Sequence, residues 1–322
     1  MTAPDGLQLG FGVPTSGAWA TAENQARIAR RAEQLGYHSL WTFSRLLFPL
    51  NSGDAEWTSD FEPAFAHGAA EPIVTMAFLA GVTERIRLGF SVINAPFLAP
   101  AVLGKQLIQL DRVSGGRIDA GIAQGWSAEE YRAIGIPMER RVARTLEYVK
   151  VLQAMWENDQ AEFQGEFTEL PRTRVRPRPV QDTFPLLLGG SNEHAFERAG
   201  RLAQGWVSPG FISAEEIATA ATGVRDAARR AGRDPQEIRI VVRATVFLGA
   251  AGDSSRALFT GSAEQIAADL RQARDAGATE VFLDFNFDPR IVGADVDAKT
   301  AVAEVEEALE FFAPGPAADR AD

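Results

Sequence analysis

The chain has 322 residues, 46% of them hydrophobic, with 43 Asp and Glu against 32 Lys and Arg, three histidines and no cysteine. A net charge of −11 argues against non-specific nucleic-acid binding, which needs Lys and Arg to neutralise phosphates, and zero cysteines exclude disulfides, thiolate metal sites and cysteine nucleophiles. No run of about 18 apolar residues suggests a membrane span, and the opening MTAPDGLQLG has neither the basic nor the apolar region of a signal peptide, so the expected setting is the cytoplasm.

Taken in order, short apolar runs alternate with helical patterns of period near 3.6. A strand at 7–13 (LQLGFGV) precedes a helix at 21–36, with Gly36 at the position that wants a left-handed residue. A second strand at 38–43 (HSLWTF) runs into a long loop, 44–70, rich in Phe, Trp, Pro and Gly, and then a helix at 71–84. The third strand, 86–92 (IRLGFSV), stops on Ser91-Val92 and wanders through INAPFLAP before a helix at 100–114. The fourth, 117–122 (RIDAGI), follows the tight turn Ser114-Gly115-Gly116 and leads to a helix at 139–157. Residues 158–184 hold a hairpin, AEFQGEFTEL, with Gly165 at its turn, and the basic stretch PRTRVRPRP. Strands at 185–189, 205–208, 239–248 and 279–285 then alternate with helices at 192–203, 213–232, 262–276 and 297–312. Gly232 and Gly277 close two of these helices, and Ser262 with Gln265 reads as a capping box. The tail APGPAADRAD (313–322) is expected to be disordered.

Eight strands each followed by a helix predict a (β/α)8 TIM barrel with extended active-face loops, filling residues 1–312 as one domain. The first strand lacks a G-x-G-x-x-G turn, which speaks against an open dinucleotide-binding sheet. In such a barrel the chemistry sits on the loops after the strands. That places Ser44 and Arg45, Ser91, Val92 and Asn94, Gln124, Gly125 and Trp126, and Gly189, Gly190 and Ser191 at the active face, and His38 at the opposite one, where it reads as structural. In LLLGGSNEHAFERAG, Gly189 and Gly190 let backbone approach a ligand, and the helix start offers N–H groups to a phosphate; a plain turn with an N-cap fits the same residues. Gly125 would admit a flat ring and Trp126 would wall it, or Trp126 is packing.

SLWTFSRLLFP, TERIRLGFSV, KQLIQLDRVSGGRIDAGIAQGW and VRPRPVQDTFPLLLGGSNEHAFERAGRLAQGWV together resemble the bacterial luciferase-like superfamily, in order and spacing, over about residues 7 to 285. The sequence is most similar to the branch of coenzyme F420-dependent oxidoreductases, which pass a hydride to or from C5 of a deazaflavin. The resemblance implies a non-proline cis peptide at Ser91-Val92 backing the cofactor ring. It further implies that Ser91, Val92 and Asn94 meet the ring, that Gln124 and Gly125 meet its edge or the ribityl chain, that Gly189, Gly190 and Ser191 cradle the phosphate, and that Ser44 also belongs to the cofactor site. Arg172 to Arg178 would guide a polyglutamate tail, or are solvated surface.

The departures are specific. Ser44-Arg45 stands where many relatives carry Asp-His or Asp-Arg, Trp126 replaces an active-site Glu, SPGFIS lacks a phosphate-binding Lys, and Gln204 replaces the Asp of a common DGW. A sugar-phosphate substrate is therefore not expected. Arg45 would stabilise developing negative charge, and His67, on the 44–70 loop, has the pKa for proton transfer; Glu71 and Glu129 are the weaker candidates. Phe43, Trp57 and Trp126, with further aromatics at the mouth, predict an apolar substrate pocket. The expected activity is F420-dependent hydride transfer on a small, largely apolar substrate. The alternatives are an FMN-dependent monooxygenase fed by a reductase, and a barrel that binds ligand or flavin without turnover. The resemblance implies a homodimer.

Overall fold

The computed structural model describes residues 4, 6–49 and 68–314. Eight parallel strands close into a barrel: β1 (Gln8–Gly12), β2 (Ser39–Thr42), β3 (Arg87–Phe90), β4 (Ile118–Ala123), β5 (Leu186–Gly189), β6 (Gly205–Val207), β7 (Arg239–Thr245) and β8 (Glu280–Asp284). Closure is completed where β3 meets β4, with Leu88 opposite Ile118 and Gly89 opposite Asp119. The outer helices are α1 (Ala22–Gln34), α2 (Pro72–Val82), α3 (Pro100–Ser114), α4 (Arg141–Glu157), α5 (Glu193–Leu202), α6 (Ala214–Arg230), α7 (Ala263–Asp275) and α8 (Ala298–Phe311). The expected TIM barrel is what forms, with every predicted strand and helix present. Among the described residues no helix is long and apolar enough to cross a membrane, and no group of His, Cys, Asp or Glu is placed to hold a metal ion.

Local chemistry explains the boundaries. Gly36, Gly232 and Gly277 all take positive φ at helix ends, as their positions predict. Ser262 and Gln265 make the capping box, and Ser213 with Glu216 makes a second. The 158–184 segment is a two-stranded hairpin (Gln160–Gln164 with Glu169–Arg174) turning at Gly165, whose N–H donates to Thr168 O. Its basic stretch is occupied: Arg172 donates to Gln160 at 2.9 Å, Arg176 pairs with Asp159 at 2.5 Å, and Arg178 donates to the terminal α4 carbonyls of Met155 and Trp156. Two boundaries differ from the sequence pattern. A short helix, Ala128–Ala133, precedes α4, because Ser127 caps Glu130 N–H and the chain must turn at Gly135 (φ +71°) before α4 begins. The long seventh run splits after Thr245, since Phe247–Leu248 leaves the barrel to pair with Thr260–Gly261.

Inside the barrel the side chains form tiers. At the N-terminal end, Arg239 donates to both oxygens of Asp119 (2.8 and 3.0 Å) and to Glu280 (2.8 Å), while Arg87 grips Asp119 from the other side at 2.6 and 3.0 Å. Ser39 Oγ and Trp41 Nε1 both donate to Glu280. Two cations and two anions thus cancel in a closed, fully hydrogen-bonded tier. Burial by itself would raise the Asp119 pKa, but Arg239 and Arg87 prevail and hold it at about 2. Above lies an apolar tier of Trp41, Leu187, Val207, Val241 and Phe282, with Trp41 stacked on Phe282 at 5.1 Å. Gly89 makes room for that plug, since a Cβ there would fall 2.5 Å from the Trp41 ring. His38 adjoins the charged tier, and burial pushes its pKa down, in keeping with a structural role.

Candidate active site

The C-terminal ends of the strands enclose a cavity of about 350 Å³. On one side, β3 ends in the cis Ser91–Val92 peptide, at the position the sequence resemblance implies. Ser91 and Asn94 are buried there at 6% exposure, and Val92 leans over the apolar tier. Gln124 and Gly125, after β4, and Gly189 and Gly190, after β5, continue this wall. It is made largely of backbone. A Cβ on Gly189 would come within 3.3 Å of Val92 Cγ1 and 3.4 Å of Ala123 Cβ, and one on Gly125 (φ +73°) within 3.2 Å of Phe97 Cζ. A flat ring system can therefore lie close against it. Tyr131 OH donates to Gln124 O and packs edge-on against Phe97, fixing the β4 loop.

Ser191 is exposed and lies one residue beyond the cavity lining, at the start of α5. Asn192 caps that helix by accepting from Ala195 N–H at 2.9 Å, so the plain-turn reading holds for Asn192, while the Ser191 side chain is exposed. Gly190 (φ +141°) is tied by its carbonyl to Trp206 Nε1 at 2.7 Å, and a Cβ on it would strike Ala195.

Phe43, Ser44, Arg45 and Trp126 also line the cavity. Arg45 is nearly buried, with 7% of its side chain exposed. It pairs with the fully buried Glu130 at 3.0 Å and lies 4.7 Å over the Trp126 ring. Burial lowers its pKa and Glu130 opposes that shift. Glu130 also accepts from Leu46 N–H (2.7 Å) and Leu47 N–H (3.1 Å), and so pins the start of the loop after β2. Sequence reasoning chose Glu129 and missed Glu130. The short helix beginning at Ala128 turns the second of the two inward, while Glu129 contacts Ser127 and Arg132. Glu71 is likewise a helix cap, accepting from Val74 N–H, and lies outside the cavity lining. His67 and Trp57 fall outside the described residues, as does the tail beyond residue 314.

Most of the far wall was not foreseen. It comes from β6, β7 and β8: Ser208 to Phe211, Arg243, Thr245 and Phe287. Arg243 sits between Phe43 and Phe287, its guanidinium 4.7 and 4.8 Å from the two rings. Its Nε donates to Asp284 Oδ2 at 2.6 Å. Asp284 Oδ1 in turn accepts from Asn286, whose side chain holds the Thr15 and Ser16 amides and closes β8 against β1. The only signal in the sequence was an Arg followed two residues later by Thr inside a β-branched strand, where period-two alternation puts both on one face. Gln204, a departure from the common pattern, accepts from Leu186 N–H at 3.0 Å and joins the starts of β5 and β6.

Residues 7–258 match the luciferase-like monooxygenase family. The chain belongs to that family. An uncharacterised protein of Mycobacterium tuberculosis is 29% identical over 84% of this chain and 87% of its own length. The FMNH2-dependent dimethylsulfone monooxygenase of Pseudomonas putida is 26% identical over 72% of this chain and 60% of its own. Among solved structures, an F420-dependent secondary alcohol dehydrogenase in complex with an F420-acetone adduct superposes with a TM-score of 0.72 at 17% identity, covering 96% of this chain and 99% of that one, which shows a shared fold. The luciferase-like barrel is thus one of an oxidoreductase and monooxygenase family that has F420-dependent and FMN-dependent neighbours.

Proposed function

We propose that this barrel is a coenzyme F420-dependent oxidoreductase acting on a small, largely apolar organic substrate at a C=N, C=O or activated C=C bond, in the cytoplasm and as a homodimer. The observation that carries the reading is the pair of unlike walls. A backbone-lined face at Ser91, Val92, Gly125 and Gly189 confronts an aromatic face at Phe43, Phe211 and Phe287 across one cavity. Two reactants held face to face in a dry, shaped space is the arrangement that hydride transfer requires.

Bound F420 would supply or accept a hydride at its deazaflavin ring. Ser91, Val92 and Asn94 would back the ring, Gln124 and Gly125 would border it, and Gly189, Gly190 and Ser191 would take the phosphate. Arg45 would stabilise developing negative charge, with its field reduced by the Glu130 carboxylate beside it. Paired fluorescence titrations of the apo-protein with F420 and FMN test this. Micromolar or tighter F420 binding with weak FMN binding is the expected result, and the reverse preference sinks it.

The kinship to an FMNH2-dependent monooxygenase favours a second reading, a reduced-flavin monooxygenase served by a separate reductase. Oxygen uptake on adding the protein, reduced FMN and substrate would establish it. Tight cofactor binding with no turnover of any acceptor would leave a binding barrel.

A further inference from the structure

We propose that Arg243 Nη2 and Thr245 Oγ1 form the substrate's polar subsite, and that it is built for a neutral carbonyl oxygen on an otherwise apolar molecule. The proposal rests on the reading above for the substrate's position opposite the cofactor wall. In an eight-strand barrel β7 is diametrically across from β3, so these two residues face the Ser91–Val92 wall through the cavity.

Two buried polar atoms carry the inference. Among the described residues, neither Arg243 Nη2 nor Thr245 Oγ1 has a hydrogen-bond partner. Thr245 is 4% exposed and 11% of the Arg243 side chain is exposed. Nη2 lies 2.5 Å from Asp284 Oδ2 in ion-pair contact while Nε makes the aligned bond to that oxygen, so one Nη2 proton faces Asp284 and the other, pointing away from it, is left to give. Buried donors without acceptors are costly, and a native fold that keeps two side by side on one cavity wall has a use for them. The unpartnered nitrogens of Trp19, Trp156 and Arg225 lie away from the cavity.

The charge balance selects the ligand class. Arg243 is already neutralised by Asp284, which is 1% exposed. A carboxylate or phosphate would bring a second anion into a buried pair that is balanced without it. A carbonyl oxygen brings two lone pairs and no charge, and can accept from Nη2 and Oγ1 together. Phe43, Phe211 and Phe287 surround the position with rings, which suits an apolar body. Gly210 packs against the hydroxyl: a Cβ there would sit 2.7 Å from Thr245 Oγ1, so any side chain at 210 would cover it.

Ligand-observed NMR titration with acetophenone, ethylbenzene and benzoate tests the assignment, on the chain alone and again with F420 or FMN added. Acetophenone is expected to bind about fivefold more tightly than ethylbenzene, the scale of one net hydrogen bond, and more tightly than benzoate. T245V, nearly isosteric, should weaken acetophenone binding toward the ethylbenzene level while the Nη2 bond remains, and G210A should do the same by covering the hydroxyl. In both variants ethylbenzene binding should change less than acetophenone binding. Equal affinity for ketone and hydrocarbon, failure of acetophenone to bind at millimolar concentration, or an unchanged ketone affinity in T245V overturns the proposal; a preference for benzoate reassigns the subsite to an anion and overturns it too. If neither cofactor binds, the cofactor reading fails while the titration on the chain alone still decides this one.

Discussion

The two ends of this barrel solve opposite problems with the same residue types. At the N-terminal end, Arg87, Arg239, Asp119 and Glu280 satisfy one another completely, and Ser39 and Trp41 take the remaining lone pairs. At the C-terminal end, Arg243 and Asp284 also pair, but Nη2 and the Thr245 hydroxyl are left with hydrogen bonds to give. A saturated network rigidifies a base, whereas an unsaturated one holds binding capacity in reserve. The difference separates scaffold from site more sharply than residue identity does.

Breaking the base should have the largest effect. D119N removes a fully buried anion and leaves Arg87 and Arg239 facing each other, so urea denaturation at pH 7 should show a loss of about 3–5 kcal/mol. The folded pKa of Asp119, about 2, lies below its unfolded value. Its stabilisation is therefore present above the unfolded pKa and lost as pH falls through the folded one. The wild type should lose stability progressively from about pH 5 to pH 2, and the stability of D119N should fall less steeply over that window.

The rim of the site comes next. E130Q keeps acceptors for the Leu46 and Leu47 amides but strips the charge that balances Arg45. A loss of about 2 kcal/mol is expected, the scale of a hydrogen bond to a charged group. A double-mutant cycle with R45M measures the coupling, and independence of the two changes would contradict a working ion pair. Gly189→Ala should cost less than about 1 kcal/mol in stability, since the new methyl meets its neighbours at 3.3–3.4 Å, yet cofactor titration should show weakened binding because the wall moves inward. T245V should have the smallest effect of all on folding. Losing an unpartnered hydroxyl is expected to leave the melting temperature unchanged or raise it, by less than about 1 kcal/mol in stability, and a clear destabilisation would reveal a partner inside the fold.

The barrel was legible because it depends on local signals. Period-two and period-3.6 patterns, Gly at helix ends and the Ser262–Gln265 capping box are all set by residues near one another in sequence, and all eight strand–helix pairs follow from them. Strand ends then pointed to one rim, and the structure brings Phe43 to Arg45, Ser91, Val92, Asn94, Gln124 to Trp126, Gly189 and Gly190 onto a single cavity. That step needed only the rule that barrel loops converge.

What only the tertiary structure decided is partnership. Arg45 and Glu130 are 85 positions apart, Arg243 and Asp284 41, and Arg239 and Asp119 120. No local pattern encodes which cation meets which anion, and nothing in a strand's alternation tells a saturated guanidinium from one with donors to spare. The turn of a single short helix chose Glu130 over Glu129. Sequence determines the fold here through near-neighbour geometry, while the chemistry of the site is settled by which charges the closed barrel brings together and which hydrogen bonds it leaves unmade.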